Sequence, residues 1–224
     1  MLNLQLDSVL GQKAETLIKV EALLLPHVDT PIDIIVLPEN ALTGYLFKDP
    51  EAIFPMAESQ SGWTFQQMSS IAKRFNAYVV CGYCEKDPIP GIASEENYDE
   101  ADVKNWILYN SAMLIDREGN FQHNYRKTFR FTPDIRYYTK GPGFSTTFIK
   151  NLSGTELKIS IAICMDINPD EEASSEFNTF ELSTYLTEQY VDYLILICAW
   201  NDGTPEVEND ADVTMWYWMI RLLS

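Results

Sequence analysis

Three side chains with the makings of a hydrolytic centre each stand just after a stretch that reads as a strand. Cys164 closes Leu157-Lys-Ile-Ser-Ile-Ala-Ile163, Glu39 follows Asp33-Ile-Ile-Val-Leu-Pro38, and Lys127 follows His123-Asn-Tyr-Arg126. Thiol-dependent cleavage of an amide needs a thiolate, a proton shuttle and a donor for the tetrahedral oxyanion. A free cysteine has a pKa of ~8.5, so near neutrality it needs a base beside it. Glu39 could take the thiol proton and return it to departing ammonia. Lys127 and the backbone N–H of Met165 could hold the oxyanion; such donors supply ~3–4 kcal/mol. Taken singly, each residue has a plainer reading: a buried structural cysteine, a capping or surface carboxylate, a solvated lysine. Asp166 could bind substrate or cap the corner after the strand, and Tyr45 and Trp200 could wall a pocket or simply pack.

A sheet could bring these residues together, because parallel strand ends share one rim. Ile159, Ile161 and Ile163 alternate with Ser160 and Ala162, the period-two pattern of a strand packed on both faces. Asn168 as N-cap, Pro169 in the first helical position and the acids at 170–172 predict a helix starting there. Cys164 would then occupy a strand-to-helix corner, where nucleophiles are often presented. The apolar run 32–37 predicts a second strand covered on both faces. Around these, the sequence predicts a first short strand at 2–6, helices at 13–25 and 62–75, and a strand at 77–83. Hairpins are expected at 106–116 with 121–125, around Arg117-Glu-Gly-Asn120, and at 146–149 with 157–164, around Asn151-Leu-Ser-Gly154. A helix at 177–190, a strand at 192–198 and an aromatic helix at 214–223 complete an α/β alternation. The acidic stretch 87–104 has no hydrophobic period and reads as a solvated insertion within a single domain, residues 1–224.

Composition narrows the class. A chain of 224 residues, 46% hydrophobic and 22% charged, suits one globular domain. The formal charge of −17 argues against a nucleic-acid partner, since phosphates need compensating Lys and Arg. No apolar run approaches the ~20 residues that cross a bilayer, and no basic-then-apolar leader opens the sequence. The expectation is a soluble protein without a membrane partner, cytoplasmic, with the nucleus as a second compartment. Cys81 and Cys84 form a CxxC, but zinc would need two further ligands and the chain has only His27 and His123, so no metal or other cofactor is expected. Cys198 reads as core, and His123 as structural.

The three runs carry a resemblance. Glu39 in LPENALTGY, Lys127 in NYRKTF and Cys164 in ICMD, in that order, resemble the Glu-Lys-Cys set of the nitrilase superfamily of carbon-nitrogen hydrolases. YNSA at 109–112, ICMD-x-x-P, the phenylalanine-bearing 177–186 and the AW after the next strand extend it over nearly the whole chain. The likeness is greatest to the fungal amidases that deamidate N-terminal Asn and Gln of proteins. It implies a four-layer α-β-β-α sandwich and a cysteine thioester mechanism with Glu39, Lys127 and Cys164 catalytic. It also implies protein N-termini bearing Asn or Gln as substrates, with the product feeding N-degron turnover. Other small-amide or ureido-acid hydrolases of the superfamily, and a non-catalytic binding relative, are the alternative readings. In the resembling amidases acidic residues precede the glycine-phenylalanine that ends the loop after the lysine and suit a free α-ammonium. Here that place holds Thr139-Lys140, leaving Asp134 or Asp166 for the role. Against the family, the first strand is short and the chain ends before the usual last strands. The expectation is therefore an incomplete sandwich of low solubility and weak activity, with Trp216 and Trp218 exposed.

Overall fold

The computed structural model describes residues 1–90, 103–199 and 210–222. Its first sheet has five strands in sequence order: β1 (Leu2–Asn3), β2 (Ile34–Val36), β3 (Tyr78–Pro88), β4 (Trp106–Ile115) and β5 (Phe121–Arg126). The first three run parallel, and β3–β4 and β4–β5 pair antiparallel. The second sheet has the order β6 (Thr146–Lys150), β7 (Glu156–Ile163), β8 (Tyr193–Ile197). There β6–β7 is the expected hairpin, while β7–β8 is parallel, with Ile163 opposite Ile197. Parallel neighbours need long connections. These are supplied by α1 (Lys13–Leu24), then α2 (Pro50–Ile53) with α3 (Trp63–Phe75), and α4 (Glu181–Glu188); α5 (Asp210–Leu222) follows β8.

Strand alternation assigns each side chain to a layer. Ile34, Val36, Val80, Ala112 and Leu114 of the first sheet pack with Ile159, Ile161, Ile163, Ile195 and Ile197 of the second. The opposite face of the first sheet, with Ile35, Leu37, Val79 and Met113, takes Val20 and Leu24 of α1 and Met68, Ile71 and Phe75 of α3. Beyond the second sheet, Ala162 meets Leu182 of α4, with Trp218 and Leu222 of α5 packed around them. The layers are thus helix, sheet, sheet, helix, as expected. Fully burying one of these isoleucines stabilises the fold by roughly 1.5–3 kcal/mol. Asn76 ends α3 in the left-handed conformation at φ 48°, its N–H donating to the carbonyls of Ala72 and Lys73, which turns the chain directly into β3.

Several sequence expectations give way. β3 does not stop at residue 83 but runs to Pro88, paired along its length with β4. Cys81 and Cys84 therefore lie inside a strand, and an odd separation sends them to opposite faces. Cys81 joins the layer under the helices and Cys84 packs with Ile53, Phe54 and Tyr138, both as free thiols. No helix begins at Asn168: a 3-10 turn spans Cys164–Ile167, and α4 starts only at Glu181. Asn168 is otherwise engaged, its Oδ1 accepting from the Tyr217 hydroxyl. Asp170 instead caps a short turn, accepting from the N–H groups of Glu172 and Ala173. The acidic insertion lies largely outside the described residues. Trp216 is exposed, but Trp218 is not: it packs under the second sheet.

Candidate active site

Glu39 leaves β2 on a backbone pressed against β3. A Cβ on Gly82 would lie 2.5 Å from the Pro38 carbonyl oxygen and 2.7 Å from Glu39 Cα, so only glycine admits this approach. The amide of Ala41 then donates to the Gly82 carbonyl at 2.9 Å. Lys127 follows β5, and its carbonyl accepts from the Gly141 amide at 2.8 Å. There too the approach is close, since a Cβ on Gly141 would stand 2.1 Å from the Arg126 carbonyl oxygen. Cys164 caps β7 at φ 45°, a left-handed conformation that costs a non-glycine residue ~1–3 kcal/mol.

The strain at Cys164 is held by Asp166, which is fully buried. Its Oδ1 accepts from the amides of Thr128 (2.9 Å) and Phe129 (2.7 Å). Its Oδ2 accepts from the amide of Ile163 (2.8 Å) and the hydroxyl of Tyr125 (2.7 Å). One carboxylate thus ties the cysteine corner to the residues just after Lys127. Burial pushes its carboxyl up, to about 6, against those four donors. Asp166 is the corner's lock, and no oxygen is left over for a substrate ammonium.

Lys127 and Glu39 meet in the interior. Lys127 Nζ donates to Glu39 Oε1 at 2.8 Å and to Asp134 Oδ2 at 2.7 Å, with all three side chains 0–1% exposed. Burial lowers the lysine's pKa, but the charges of Glu39 and Asp134 outweigh it and hold the ammonium protonated well above the usual lysine range. Glu39 Oε1 also accepts from Asn110 Nδ2 at 2.7 Å, and Oε2 accepts from the backbone amide of Ala199 at 2.8 Å. Asp134 Oδ1 accepts from the hydroxyl of Tyr45 at 2.6 Å. Asp134, a candidate for substrate, is therefore the second counter-ion of Lys127. Tyr45 stays a neutral phenol, its pKa raised chiefly by burial, with its ring beside the ammonium.

Cys164 is half-buried within electrostatic reach of both Glu39 and Lys127. Its thiol pKa is raised, first by a hydrogen bond with the Cys198 side chain, then by burial and the Glu39 charge, with Lys127 opposing. At rest the sulfur is a thiol. A cavity of about 350 Å³ opens beside Glu39, lined in part by Glu39, Gly44, Tyr45, Cys198 and Ala199. Met165, next to Cys164 in the 3-10 turn, is buried. Trp200 lies outside the described residues.

A family model described as carbon-nitrogen hydrolase matches residues 4–175. The chain belongs to the carbon-nitrogen hydrolase family. The protein N-terminal amidase of Saccharomyces cerevisiae is 32% identical over 187 residues, covering 77% of this hydrolase-family chain and 37% of its own. That of Schizosaccharomyces pombe is 31% identical over 183 residues, covering 79% of this chain and 58% of its own. The chain thus spans about three-fifths or less of these relatives. Among solved structures, an N-terminal amidase with a Gln-Val peptide superposes with a TM-score of 0.77 at 28% identity, covering 96% of this chain and 52% of that one. The same score and identity hold for an N-terminal amidase with an Asn-Glu peptide, over 98% of this chain and 51% of that one.

Within this family member, sequence reasoning found the thiol, the carboxylate and the ammonium but missed what holds them. Asn110 and Ser111 were visible as polar residues inside the apolar strand Trp106–Ile115, a signal that buried polar groups have partners. Asn110 reaches Glu39, and Ser111 donates to Glu85 at 2.6 Å. Glu85 in turn takes both arms of Arg126, at 2.9 and 2.7 Å, fixing the residue before Lys127. The Ala199 amide had only the AW likeness after the strand as a signal, and Cys198 none beyond its place at a strand end. His123, read as structural, pairs with Ser145 at 2.9 Å.

Proposed function

We propose that this chain is an amidohydrolase that converts N-terminal Asn or Gln of proteins to Asp or Glu, releasing ammonia through a thioester on Cys164. The observation that carries the reaction class is the buried Lys127–Glu39 ion pair of 2.8 Å within electrostatic reach of a cysteine held at a strained strand end. Because the thiol is protonated at rest, attack requires a base, and the Glu39 carboxylate is in place to take the proton as sulfur adds to the amide carbon. Negative charge then gathers on the amide oxygen, where the Lys127 ammonium and the Met165 N–H supply donors. Glu39 returns the proton to the leaving nitrogen. Water, deprotonated by the same carboxylate, cleaves the thioester and frees the acid.

The substrate class rests on similarity to N-terminal amidases, including the structures with Gln-Val and Asn-Glu peptides. Deamidation of an N-terminus would feed N-degron turnover in the cytoplasm. Asp134 and Asp166 are both buried and already accept hydrogen bonds from within the fold, which weighs against their also meeting the α-ammonium. The test is ammonia release from three peptides: one with a free N-terminal Asn, its N-acetylated form and one with internal Asn. Only the first should react, and Cys164→Ala should abolish its turnover while Cys81→Ala and Cys84→Ala retain it. Equal hydrolysis of all three would replace this reading by a general amidase. Undiminished activity in Cys164→Ala would remove the thioester altogether.

A further inference from the structure

Cys198 has no part in the amidase chemistry, yet it stands beside the nucleophile. Strands β7 and β8 run parallel with Ile163 opposite Ile197. The next residue on each is a cysteine. Neighbouring strands lie ~4.8 Å apart, within the Cα separation of ~4.4–6.8 Å that a disulfide spans. The two side chains stand close enough that Cys198 perturbs the ionisation of Cys164, and both residues are half-buried rather than sealed in the core. Cys198 also lines the cavity that borders Glu39, so a small polar oxidant has a way in. Cys81 and Cys84, by contrast, are fully buried on opposite faces of β3, with thiol pKa values pushed up by burial, that of Cys84 to about 12.

We propose that Cys164 and Cys198 form a reversible oxidative modification site, in which hydroperoxides convert the nucleophile to a sulfenic acid and Cys198 resolves it as an intramolecular disulfide. This rests on Cys164 being the reactive thiol of the site. Glu39 takes the Cys164 proton, as it does for amide attack. The thiolate adds to the terminal oxygen of the peroxide and the O–O bond breaks. Sulfur loses two electrons and becomes S–OH, and the departing oxide is protonated to water, or to an alcohol from an organic peroxide. The Cys198 thiolate then displaces hydroxide from the Cys164 sulfur, forming the S–S bond, and that hydroxide takes the proton Cys198 lost. For hydrogen peroxide the sum is two thiols and one peroxide giving one disulfide and two waters. A dithiol such as dithiothreitol returns the two electrons by exchange. The disulfide occupies the attacking sulfur, so the oxidised protein is inactive, and it spares Cys164 the irreversible sulfinic state.

The experiment treats the purified chain with hydrogen peroxide, blocks free thiols and digests without reduction using a glutamate-specific protease, which cuts between the cysteines at sites such as Glu181 and Glu188. A cross-linked pair of peptides holding Cys164 and Cys198, lost on reduction, is expected, with Cys81 and Cys84 unlinked. Recovery of peptide-amidase rate on dithiothreitol, each protein relative to its own untreated rate, should be about tenfold greater than in Cys198→Ser, where Cys164 advances to the sulfinic acid. Cys164 found as sulfinic acid beside an unmodified Cys198 in the wild-type chain would overturn the proposal. So would an equal recovery in the two proteins. The cross-link is read by mass in the wild-type chain, so it survives or fails independently of whether N-terminal amides are the substrate.

Discussion

At the scale of single residues, the site is an arrangement of buried charge. Lys127 sits between two carboxylates, so removing its charge leaves Glu39 and Asp134 facing each other without a counter-ion. Lys127→Met should therefore cost ~3–5 kcal/mol of stability, read as a lowered urea midpoint, besides abolishing ammonia release. A different sign of pH dependence attaches to each of two other buried acids. Burial pushes the Glu85 carboxyl up, but Arg126, Ser111, Gln60 and Asn124 outweigh it and hold it below its ordinary value of 4.5. Its contribution is thus present above pH ~4.5 and lost as the pH falls through the lower folded value. Asp166, raised to about 6, behaves oppositely. Its favourable share is complete below its ordinary 3.8 and is lost as the pH rises through 6. Urea midpoints of Glu85→Gln should accordingly fall less than those of the parent chain as the pH is lowered from 5 toward 3. A parallel decline in both would show that Glu85 is not the group being titrated.

At the scale of elements, placement depends on backbones that approach closely. Gly82 lets the 38–40 segment lie on β3, and its extra Cβ would meet backbone, not flexible side chain. Gly82→Ala should displace Glu39, and a shift of about 1 Å can lower the turnover rate ~100-fold, with substrate binding less affected. Steady-state rates on the Asn-peptide would read this, and a parent-like kcat would show that the sheet yields elsewhere. The strands carrying Glu39, Lys127 and Cys164 were legible because apolar alternation and the hairpin turns are local signals. The stretch after Cys164 was not. Asn168-Pro169 with three acids has the composition of a helix start, yet the partners that settle its conformation, Tyr217 and the amides of Thr128 and Phe129, lie far along the chain. Asp134 was ambiguous for the same reason: a carboxylate near a lysine in sequence could serve substrate or lysine, and in the fold it accepts from Lys127. The CxxC sits inside a strand that runs on past residue 83 to Pro88, because its pairing with β4 continues there.

At the scale of the whole molecule, α5 is bound to the cysteine corner by a buried arginine. Arg221 is 2% exposed and donates to the carbonyls of Ile167 (2.8 Å), Phe177 (2.8 Å) and Thr179 (2.6 Å). Arg221→Met would keep the stem's packing and strand three acceptors, each costing ~1–3 kcal/mol if left buried. The expected outcome is loss of α5 docking, faster amide exchange in 164–180 and reduced activity; unchanged exchange there would show that packing of Trp218 and Leu222 suffices. On the opposite flank β8 pairs only with β7 among the described residues, and Tyr193 is 57% exposed, a combination that favours association through the strand edge.

The Ala199 amide on Glu39 and Arg221 on the Cys164 turn also set a timetable. A chain leaves the ribosome from its N-terminus at ~5–20 residues per second. Glu39 is made early but lacks one of its donors until residue 199 emerges, and the corner is unpinned until residue 221 does. Until then the polypeptide carries a carboxylate, and from residue 164 onward a cysteine, whose surroundings are incomplete, so the site is assembled only late in synthesis. Proteolysis of chains stalled before and after α5 emerges would read that timing directly.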